Sequence, residues 1–409
     1  MAEFRKARMA DLCEITSSKR IFAADYVSEG VPFYRGKEIT EKYKGSLDVS
    51  TELFITEEKF SEIERKFGAP RKGDLLLTSV GTLGSPYVVK PGERFYFKDG
   101  NLTWFRYFQE LDSKFLYYWL VSPQGKAELQ KCTIGSSQSA FTIVLLKGVE
   151  IELPPLPIQQ RIAGILSSYD ELIENNQRRI RILEDMARSL YREWFVHFRY
   201  PGHESVPLVE SPLGQIPQGW EVKKLGDIAE DMRRNIQKGK LDEPQPYVGL
   251  EHIPRRSLAL DSWETASELG SNKLAFKKGE VLFGKIRPYF HKVSIAPFDG
   301  LCSADTIVIR ARQPEHYAIV GGCVSSDEFV AHATATSNGS KMPRANWSVL
   351  EEYPVAIPTL AVASQFSAVV RPAIQQMQTL IFQTANLRRT RDLLLPRLLS
   401  GDVSLKERQ

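Results

Sequence analysis

Residues that could take part in catalysis occur in the chain, but their spacing does not complete a catalytic motif. Segments 57–59 (EEK) and 221–223 (EVK) have the Glu-x-Lys form that some nucleases use, yet neither has a plausible partnering aspartate upstream. Gly36-Lys37 and Gly284-Lys285 are followed by Glu and Ile, where a phosphate-binding loop needs Ser or Thr to hold magnesium. We interpret the Glu-x-Lys segments as solvated surface charge and predict a chain without catalytic residues.

The spacing of histidine and cysteine does not support metal or disulfide chemistry either. The six histidines contain no His-Glu-x-x-His pair, and the four cysteines contain no Cys-x-x-Cys pair. Cysteines without a disulfide framework are typical of a reducing compartment. No apolar run approaches the roughly 18 residues that span a bilayer. We therefore predict a cytoplasmic protein with no metal site and no membrane partner.

The elements that must position any functional residue occur twice. At an offset of 204 residues, 102–106 (LTWFR) aligns with 306–310 (TIVIR), 135–136 with 339–340, and Pro154 with Pro358. Upstream the offset grows to 206 and then to 214, as insertions in loops would produce. Many weak matches in one order indicate an internal repeat. We predict two copies of one unit, each a globular domain followed by a long helix.

Each globular domain carries the sequence signals of both strands and helices. The apolar runs 74–78 and 281–283 follow Lys-Gly turns and are predicted to be strands. Segments 54–67 and 114–121 have the apolar spacing of short amphipathic helices. We therefore expect each domain to be mixed α/β with a twisted sheet.

The strongest helical pattern follows Pro157, a residue that suits a first helical turn. Ten positions with alternating spacings of four and three residues run from Ile162 to Trp194, and nine of them are apolar or aromatic. This is the pattern of a coiled-coil seam, in a helix predicted over 158–196. The exception is Asn176, which either lies buried in the seam or sits near solvent.

The second copy has an equivalent seam. Eight of the ten matching positions, from Phe366 to Leu398, are apolar. Pro372 lies within this stretch, so we expect the second helix to start or kink there. Two isolated seams of this length would aggregate, so the helices are expected to pack on each other. An approximate twofold relation between the two copies favours antiparallel packing.

Several of these segments resemble one known family. Segments 153–166 (LPPLPIQQRIAGIL), 173–196 and 391–402 closely resemble the helical regions of specificity subunits of type I restriction–modification enzymes. Segments 31–39, 72–84 and 278–289 look like the target-recognition domains of the same family. The resemblance covers essentially the whole chain, and its order of parts matches the repeat.

The resemblance implies an α+β fold in which two similar mixed α/β target-recognition domains are separated by two long antiparallel coiled-coil helices. Applied to this chain, it predicts a first target-recognition domain over 1–152 and a central spacer helix over 153–200. The second target-recognition domain is predicted over 201–356, and a C-terminal spacer helix over 357–409.

The resemblance also implies a non-catalytic subunit that recognises DNA. Each recognition domain would read one half of a bipartite target in double-stranded DNA, and the helices would set the gap. Two methyltransferase subunits, which bind S-adenosylmethionine, would dock on the helices, and motor-nuclease subunits would join them. This chain itself would then hold no cofactor. The net charge of +4 permits a nucleic-acid partner without demanding one.

Three other functions are possible on the sequence. The chain could be a coiled-coil adaptor between proteins, without sequence-specific DNA binding. It could also be the specificity chain of a combined restriction–methylation enzyme with different partners. A self-sufficient nuclease would cut DNA alone in the presence of magnesium, which we do not expect.

The residues that we expect to contact DNA lie in polar, turn-like stretches of both copies. Lysine and arginine can bind phosphate or guanine, and hydroxyl side chains beside glycine allow a close approach to phosphate. An ordinary solvated surface is the alternative for any single one of them. The predicted DNA-binding residues are Arg35, Lys37, Ser79, Thr82, Ser85, Ser136, Ser137, Gln138, Arg255, Arg256, Lys285, Arg287, Tyr289, Ser340, Lys341 and Arg344. Arg233 and Arg234 are also basic, but a charged helix face explains them about as well.

An aromatic patch near the end of the first long helix is the candidate surface for partner binding. It consists of Tyr191, Trp194, Phe195 and Phe198. Aromatic anchors are typical of protein interfaces, so the patch could bind a methyltransferase subunit. The alternative is that these side chains pack in the core of the recognition domain.

Overall fold

The computed structural model describes residues 4–46, 49–135, 139–339 and 341–403. The chain forms two compact units. The first unit comprises Met1–Glu174 with Asn386–Gln409, and the second comprises Asn175–Ala385. Each unit therefore contains a part of both long helices. Among the described residues, no helix combines the length and the hydropathy needed to cross a bilayer.

The first unit begins with eleven strands and six short helices in the described part of its chain. The strands are β1 (Arg5–Arg8), β2 (Glu14–Thr16), β3 (Val31–Tyr34), β4 (Phe54–Ile55), β5 (Leu75–Thr78), β6 (Pro86–Val88), β7 (Tyr96–Phe97), β8 (Leu102–Arg106), β9 (Thr133–Ile134), β10 (Ala140–Phe141) and β11 (Glu150–Leu153). The helices are α1 (Met9–Leu12), α2 (Gly36–Tyr43), α3 (Glu57–Phe67), α4 (Ser113–Val121), α5 (Pro123–Lys131) and α6 (Ile143–Gly148).

A four-stranded antiparallel sheet in the order β2-β8-β5-β6 forms the centre of this unit. Its strand β5 is buried on both faces, since successive side chains point in opposite directions. Leu75 and Leu77 pack in one core cluster, and Leu76 packs in another with Trp104 of β8. A smaller sheet, β4-β3-β7, pairs β3 and β7 in parallel. Strands β1 and β11 form a separate antiparallel pair.

The first long helix, α7 (Leu156–Tyr191), continues through a π-helical turn, Arg192–Val196. The sequence placed this helix at 158–196, so its position was predicted to within two residues. Asn176 is only 7% exposed, which confirms that this polar seam residue is buried rather than near solvent.

The described part of the second unit adds thirteen strands and four short helices. The strands are β12 (Leu208–Ser211), β13 (Gly214–Pro217), β14 (Glu221–Lys224), β15 (Ala229–Asp231), β16 (Arg234–Ile236), β17 (Gly239–Val248), β18 (Glu264–Leu269), β19 (Lys273–Phe276), β20 (Val281–Gly284), β21 (Val293–Ile295), β22 (Gly300–Ser303), β23 (Thr306–Ala311) and β24 (Pro354–Ile357). The helices are α8 (Leu225–Ile228), α9 (Tyr317–Val324), α10 (Asp327–Ala335) and α11 (Trp347–Leu350).

The second unit repeats the topology of the first. Its central sheet has the order β15-β23-β20-β21, which matches β2-β8-β5-β6 strand for strand. Strand β17 pairs in parallel with β22, as β3 does with β7. Val281 and Phe283 of β20 pack in one cluster and Leu282 in another, the same division that β5 shows. The internal repeat expected from the sequence is therefore a repeat of fold.

The second long helix, α12 (Leu360–Leu399), packs antiparallel to α7. In the first unit, Leu166 from the first half of α7 shares a core with Leu398 from the end of α12. In the second unit, Trp194 shares a core with Phe366 from the start of α12. These two pairings confirm the antiparallel packing expected from the repeat.

Of the two alternatives predicted at Pro372, a start of the second long helix or a kink in it, the start is wrong. The helix starts at Leu360 and continues through this proline. A proline inside a helix removes one backbone hydrogen bond. The flanking residues Val370 and Ile374 are both buried in the core of the second unit, so tertiary packing holds the helix on each side of Pro372.

Candidate nucleic-acid interface

In the first unit, two of the predicted polar segments meet at the end of strand β5, and segment 139–141 joins them. The start of α2 faces the loop that follows β5, because a Cβ added to Gly36 would lie 3.8 Å from the carbonyl oxygen of Val80. Val80 also forms a β-bridge with Ala140, and the backbone N–H of Phe141 donates to the carbonyl of Ser79 at 3.0 Å. We call residues 35–37, 79–85 and 139–141 the first cluster.

In the second unit, the equivalent segments meet at the end of β20. The backbone N–H of Arg287 donates to Pro343 O at 2.7 Å, and that of Ala345 donates to Lys285 O at 2.9 Å. A third segment joins them, since the N–H of Arg256 donates to His291 O at 2.8 Å. We call residues 255–256, 285–292 and 341–345 the second cluster.

The two clusters occupy matching places in the two copies of the fold. Strands β5 and β20 lie at equivalent positions in their sheets, and each cluster follows one of them. The β-bridge between Val80 and Ala140 has a counterpart between Ile286 and Arg344. Residues predicted separately along the sequence are thus brought together in each unit by the same topology.

Two predicted residues of the first cluster are buried and do not present their side chains at the surface. Ser79 is 2% exposed, and its hydroxyl lies 2.7 Å from the hydroxyl of Thr103. Ser85 is 4% exposed, and its backbone N–H donates to the Thr78 hydroxyl at 2.8 Å. This corrects the expectation that both serines would face DNA, because their contacts fix the shape of the loop instead. Thr82, between them, is exposed.

Arg35 is held by Glu38, so its guanidinium is only partly free. The Glu38 carboxylate accepts from the Arg35 backbone N–H at 2.7 Å and from a terminal guanidinium nitrogen at 2.8 Å. The Glu38 side chain is completely buried. Burial raises the pKa of Glu38, but the hydrogen bonds from Arg35 outweigh it and hold that pKa below its ordinary value. Lys37, on the first turn of α2, is exposed.

The second cluster mixes cations with aromatic rings. The Arg255 guanidinium lies 4.1 Å from the centre of the Phe290 ring, and Arg256 donates to Asp327 at 2.7 Å. Tyr289 is 51% exposed. Arg287 has a positive φ of 50°, a conformation that is uncommon for a non-glycine residue. Lys341 and Arg344 are exposed.

Four of the predicted residues cannot be placed. Ser136, Ser137, Gln138 and Ser340 lie outside the described residues. DNA contact by these four residues stays a prediction.

The structure adds a groove in the second unit that the sequence did not reveal. It has a volume of about 430 Å³ and contains Lys285 and Arg344 of the second cluster. Arg233 also lines it, between the end of β15 and the start of β16. The interpretation of Arg233 and Arg234 as a helix face is therefore wrong, because both belong to strands or their ends. Arg233 lies between β15, which pairs with β23, and β16, which pairs with β19.

The aromatic patch packs inside the second unit. The rings of Trp194 and Phe195 lie 5.4 and 4.8 Å from the ring of Phe366, and Phe195 and Phe198 both contact Trp220. Trp194 and Phe195 are each 7% exposed. These contacts are those of the core-packing alternative. Binding of a partner by Tyr191, Trp194, Phe195 and Phe198 stays a prediction.

Neither metal nor thiol chemistry is apparent in the described residues. They contain no group of three or more His, Cys, Asp or Glu side chains that could hold a metal ion. All four cysteines are buried and free. Burial raises the pKa of Cys13, Cys302 and Cys323 to about 12, so these thiols are not reactive thiolates at neutral pH.

Several known proteins are similar in sequence to this chain. A model of the type I restriction modification DNA specificity domain matches residues 1–185. The type I restriction enzyme MjaIX specificity subunit of Methanocaldococcus jannaschii is 28% identical over 361 residues, which cover 82% of this chain and 79% of that protein. Over most of its length, the chain is similar to specificity subunits of type I restriction–modification systems. The EcoDI specificity subunit of Escherichia coli is 25% identical over 277 residues, covering 61% of this chain and 60% of that one.

A solved structure shows the same fold. The crystal structure of the type I restriction–modification S subunit from M. genitalium matches with a TM-score of 0.62 and 16% identity, covering 97% of this chain and 96% of that chain. This likeness confirms the predicted α+β class with two similar domains and two packed long helices. The similarity in sequence is to proteins described as specificity subunits, and to a DNA specificity domain, of type I restriction–modification systems.

Proposed function

We propose that the two clusters each read one half of a bipartite sequence in double-stranded DNA. The domains over 1–152 and 201–356 would act as the two target-recognition domains. The observation that carries this proposal is the repeated topology, which brings polar and basic segments together after the equivalent strands β5 and β20. Two similar sites on one chain suit a target with two half-sites.

The exposed cations and hydroxyls of the clusters would make the DNA contacts. Lys37 and Thr82 in the first cluster, and Lys341 and Arg344 in the second, have the exposure that contact with a duplex requires. Phosphate contacts would supply most of the affinity, and a few side chains on base edges would supply the sequence choice. Arg35, Arg255, Arg256 and Arg287 would orient loops as well as contribute charge.

The long helices would set the gap between the half-sites and dock the partners. We propose that the spacers 153–200 and 357–409 bind two methyltransferase subunits, which motor-nuclease subunits join for cleavage. S-adenosylmethionine would then belong to the methyltransferase subunit. The target base would be flipped into the pocket of that partner for methylation. Assembly of this kind would take place in the cytoplasm, where the free cysteines stay reduced.

The experiment is single-molecule mapping of methylated bases in DNA from cells that carry this chain and its methyltransferase partner. We expect a split motif with two half-sites at one fixed gap. Removing one heptad from each long helix shortens each by roughly 10 Å at about 1.5 Å per residue, so the gap should shorten. A continuous motif, or an unchanged gap in the deletion variant, would overturn the proposal.

A protein adaptor without sequence-specific DNA binding is the second candidate, and the salt dependence of binding distinguishes it. A DNA reader loses affinity steeply as salt rises, because phosphate contacts release counterions. The assembled complex with the methyltransferase should therefore bind random duplex DNA with a clear negative salt slope. An adaptor would show none.

A further inference from the structure

The groove in the second unit contains Arg233, whose side chain is held in place by a buried carboxylate. Arg233 donates from Nε to Oδ2 of Asp231 at 2.7 Å. The Asp231 side chain is only 8% exposed, whereas the Arg233 side chain is 66% exposed. Asp231 ends β15 and Arg233 precedes β16, so the carboxylate is fixed by the sheet and the guanidinium extends outward from it.

The use of Nε leaves the outer edge of the guanidinium available. Among the described residues, the two terminal nitrogens of Arg233 make no hydrogen bond. The neighbouring Arg234 shows the opposite arrangement, because both of its terminal nitrogens donate to Glu280, at 2.8 and 2.7 Å. The Glu280 side chain is 4% exposed. Arg234 therefore uses its terminal nitrogens in a buried ion pair, whereas the terminal nitrogens of Arg233 are available in the groove.

The surroundings of Arg233 favour a base edge over a phosphate. Lys285 and Arg344 line the same groove and supply positive charge, but the groove also contains the Asp231 carboxylate. Its Oδ1 atom is buried and has no hydrogen-bond partner within the described residues. The Asp231 carboxylate compensates the charge of Arg233, so this pair presents two directed hydrogen-bond donors rather than a free positive charge that a phosphate would favour. The neutral edge of a guanine offers two acceptors, O6 and N7, that match the two free nitrogens of an arginine.

We propose that Arg233 reads a guanine in the half-site bound by the second recognition domain, with Asp231 as the residue that positions its guanidinium. This inference rests on the proposed function, since it names a base contact for one of the two reading sites. Asn235 and Asn338 line the same groove and would contact the neighbouring bases. Asparagine amides suit adenine, which carries a donor beside an acceptor.

The test measures binding of the assembled complex, this chain with its methyltransferase subunits, to duplexes that carry the methylated motif. Each guanine of the motif is replaced in turn by 7-deazaguanine, which lacks the N7 acceptor. For the unaltered complex, we expect a loss of about tenfold at one guanine in one half-site. Arg233→Ala should weaken binding to the normal duplex by about 10- to 100-fold and should abolish the sensitivity to 7-deazaguanine at that one position.

Two further variants separate a base contact by Arg233 from a general effect of removing an arginine and from the support given by Asp231. Arg310→Ala is the matched control, because Arg310 is an exposed arginine of the second unit that is paired with Glu230 and does not line the groove. This control should leave both the affinity and the sensitivity to 7-deazaguanine at every guanine as in the unaltered complex. Asp231→Ala keeps the arginine but removes its support, so it should reduce the sensitivity at the same guanine only. A thermal melt checks that each variant is folded.

Three outcomes would overturn the inference. The first is that Arg233→Ala weakens binding to all duplexes equally while the 7-deazaguanine effects persist, which is the result for a phosphate contact. The second is that Arg233→Ala binds every duplex as the unaltered complex does. The third is that 7-deazaguanine weakens binding of the unaltered complex at no guanine of the motif. Failure of the proposed function itself is distinguishable, because the unaltered complex would then show no preference among duplexes.

Discussion

The ring of Tyr191 lies directly on Gly322. A Cβ added to Gly322 would lie 2.3 Å from Cδ2 of that ring, so only glycine leaves room for the aromatic side chain. Tyr191 ends helix α7 and Gly322 lies in α9, both within the second unit. This contact explains how the aromatic residues at the end of α7 pack in the core. The end of α7 can lie close to α9 because α9 has no side chain at Gly322.

Gly322→Ala should therefore destabilise the second unit. The Tyr191 ring is partly buried and stacks on Phe195, so a methyl group at Gly322 must displace it, and overpacking of this kind costs about 1–3 kcal/mol. Chemical denaturation followed by tryptophan fluorescence measures the change. Gly321→Ala is the control, because its nearest neighbour would be Ile295 Cδ1 at 4.0 Å. In a helix interior that control should be neutral or stabilising by up to about 1 kcal/mol. Equal effects of the two substitutions would contradict the close contact.

Arg35 and Lys37 should separate folding from DNA binding in the first unit. Arg35→Ala leaves the buried Glu38 carboxylate without its main partner, which should lower the free energy of unfolding by about 2–4 kcal/mol. Because the pKa of Glu38 is held low in the folded state, this loss should be largest at neutral pH and should fade as the pH drops through that pKa.

Lys37→Ala is the matched substitution for Arg35→Ala. Its side chain is exposed, so the free energy of unfolding should change by less than about 0.5 kcal/mol. DNA affinity of the complex with methyltransferase should fall for all sequences, and the salt slope should decrease by about one. The prediction fails if Lys37→Ala destabilises the fold as much as Arg35→Ala, or leaves DNA affinity and its salt dependence unchanged.

Glu184 gives a pH dependence of the opposite sign. This α7 residue is 5% exposed, and its carboxylate accepts from the Ser257 hydroxyl at 2.6 Å and the Ala259 N–H at 2.9 Å. Burial raises its pKa despite these hydrogen bonds. A raised carboxyl pKa means that the folded state holds the proton more tightly, so stability falls as the pH rises from the ordinary value of about 4.3 through the raised one.

Glu184→Gln removes this titration and keeps an acceptor oxygen. The variant should gain stability relative to the unaltered protein as the pH is raised from 4 to 8, as measured by urea denaturation at each pH. Asp185→Asn, on the exposed side of the same helix, should follow the unaltered protein at every pH. A constant difference between Glu184→Gln and the unaltered protein across this range would show that Glu184 does not titrate in it.

In the first unit, Asp170 of α7 links both α12 and α4. Its carboxylate accepts from the guanidinium of Arg391 and from the Tyr118 hydroxyl. Asp170→Asn should destabilise the unit by about 1–2 kcal/mol, since a charged acceptor serves two partners. Asp392 also pairs with Arg391 but is 62% exposed, so Asp392→Asn should cost less than about 0.5 kcal/mol. Thermal denaturation of the two variants compares them, and a larger effect of Asp392→Asn would refute this ranking.

Much of the fold could be predicted because burial repeats with the period of each element. Leu75, Leu76 and Leu77 form an apolar run that marks β5, and the seam from Ile162 to Trp194 marks α7. Such patterns depend on neighbours along the chain. The failure at Pro372 has the same origin, because the local preference of proline was outweighed by packing that involves distant residues.

The candidate site was predicted less completely. The sequence pointed to the loops after β5 and β20, but it could not show that Ser79 and Ser85 are buried, because their exposure depends on Thr103 and Thr78 in neighbouring strands. The sequence also did not distinguish the role of Arg233 from that of Arg234. Their different roles depend on whether a carboxylate binds Nε or both terminal nitrogens, which is decided by the strands around them.

By itself, the sequence determined that the chain is a duplicated α+β protein with two long seamed helices and the motifs of a specificity subunit, because repetition and periodicity are properties of residue order. The tertiary structure alone decided which polar residues converge, which of them are consumed by ion pairs, and which face a groove. Those properties arise from contacts between residues far apart in the chain, and the geometry of those contacts cannot be read from residue order.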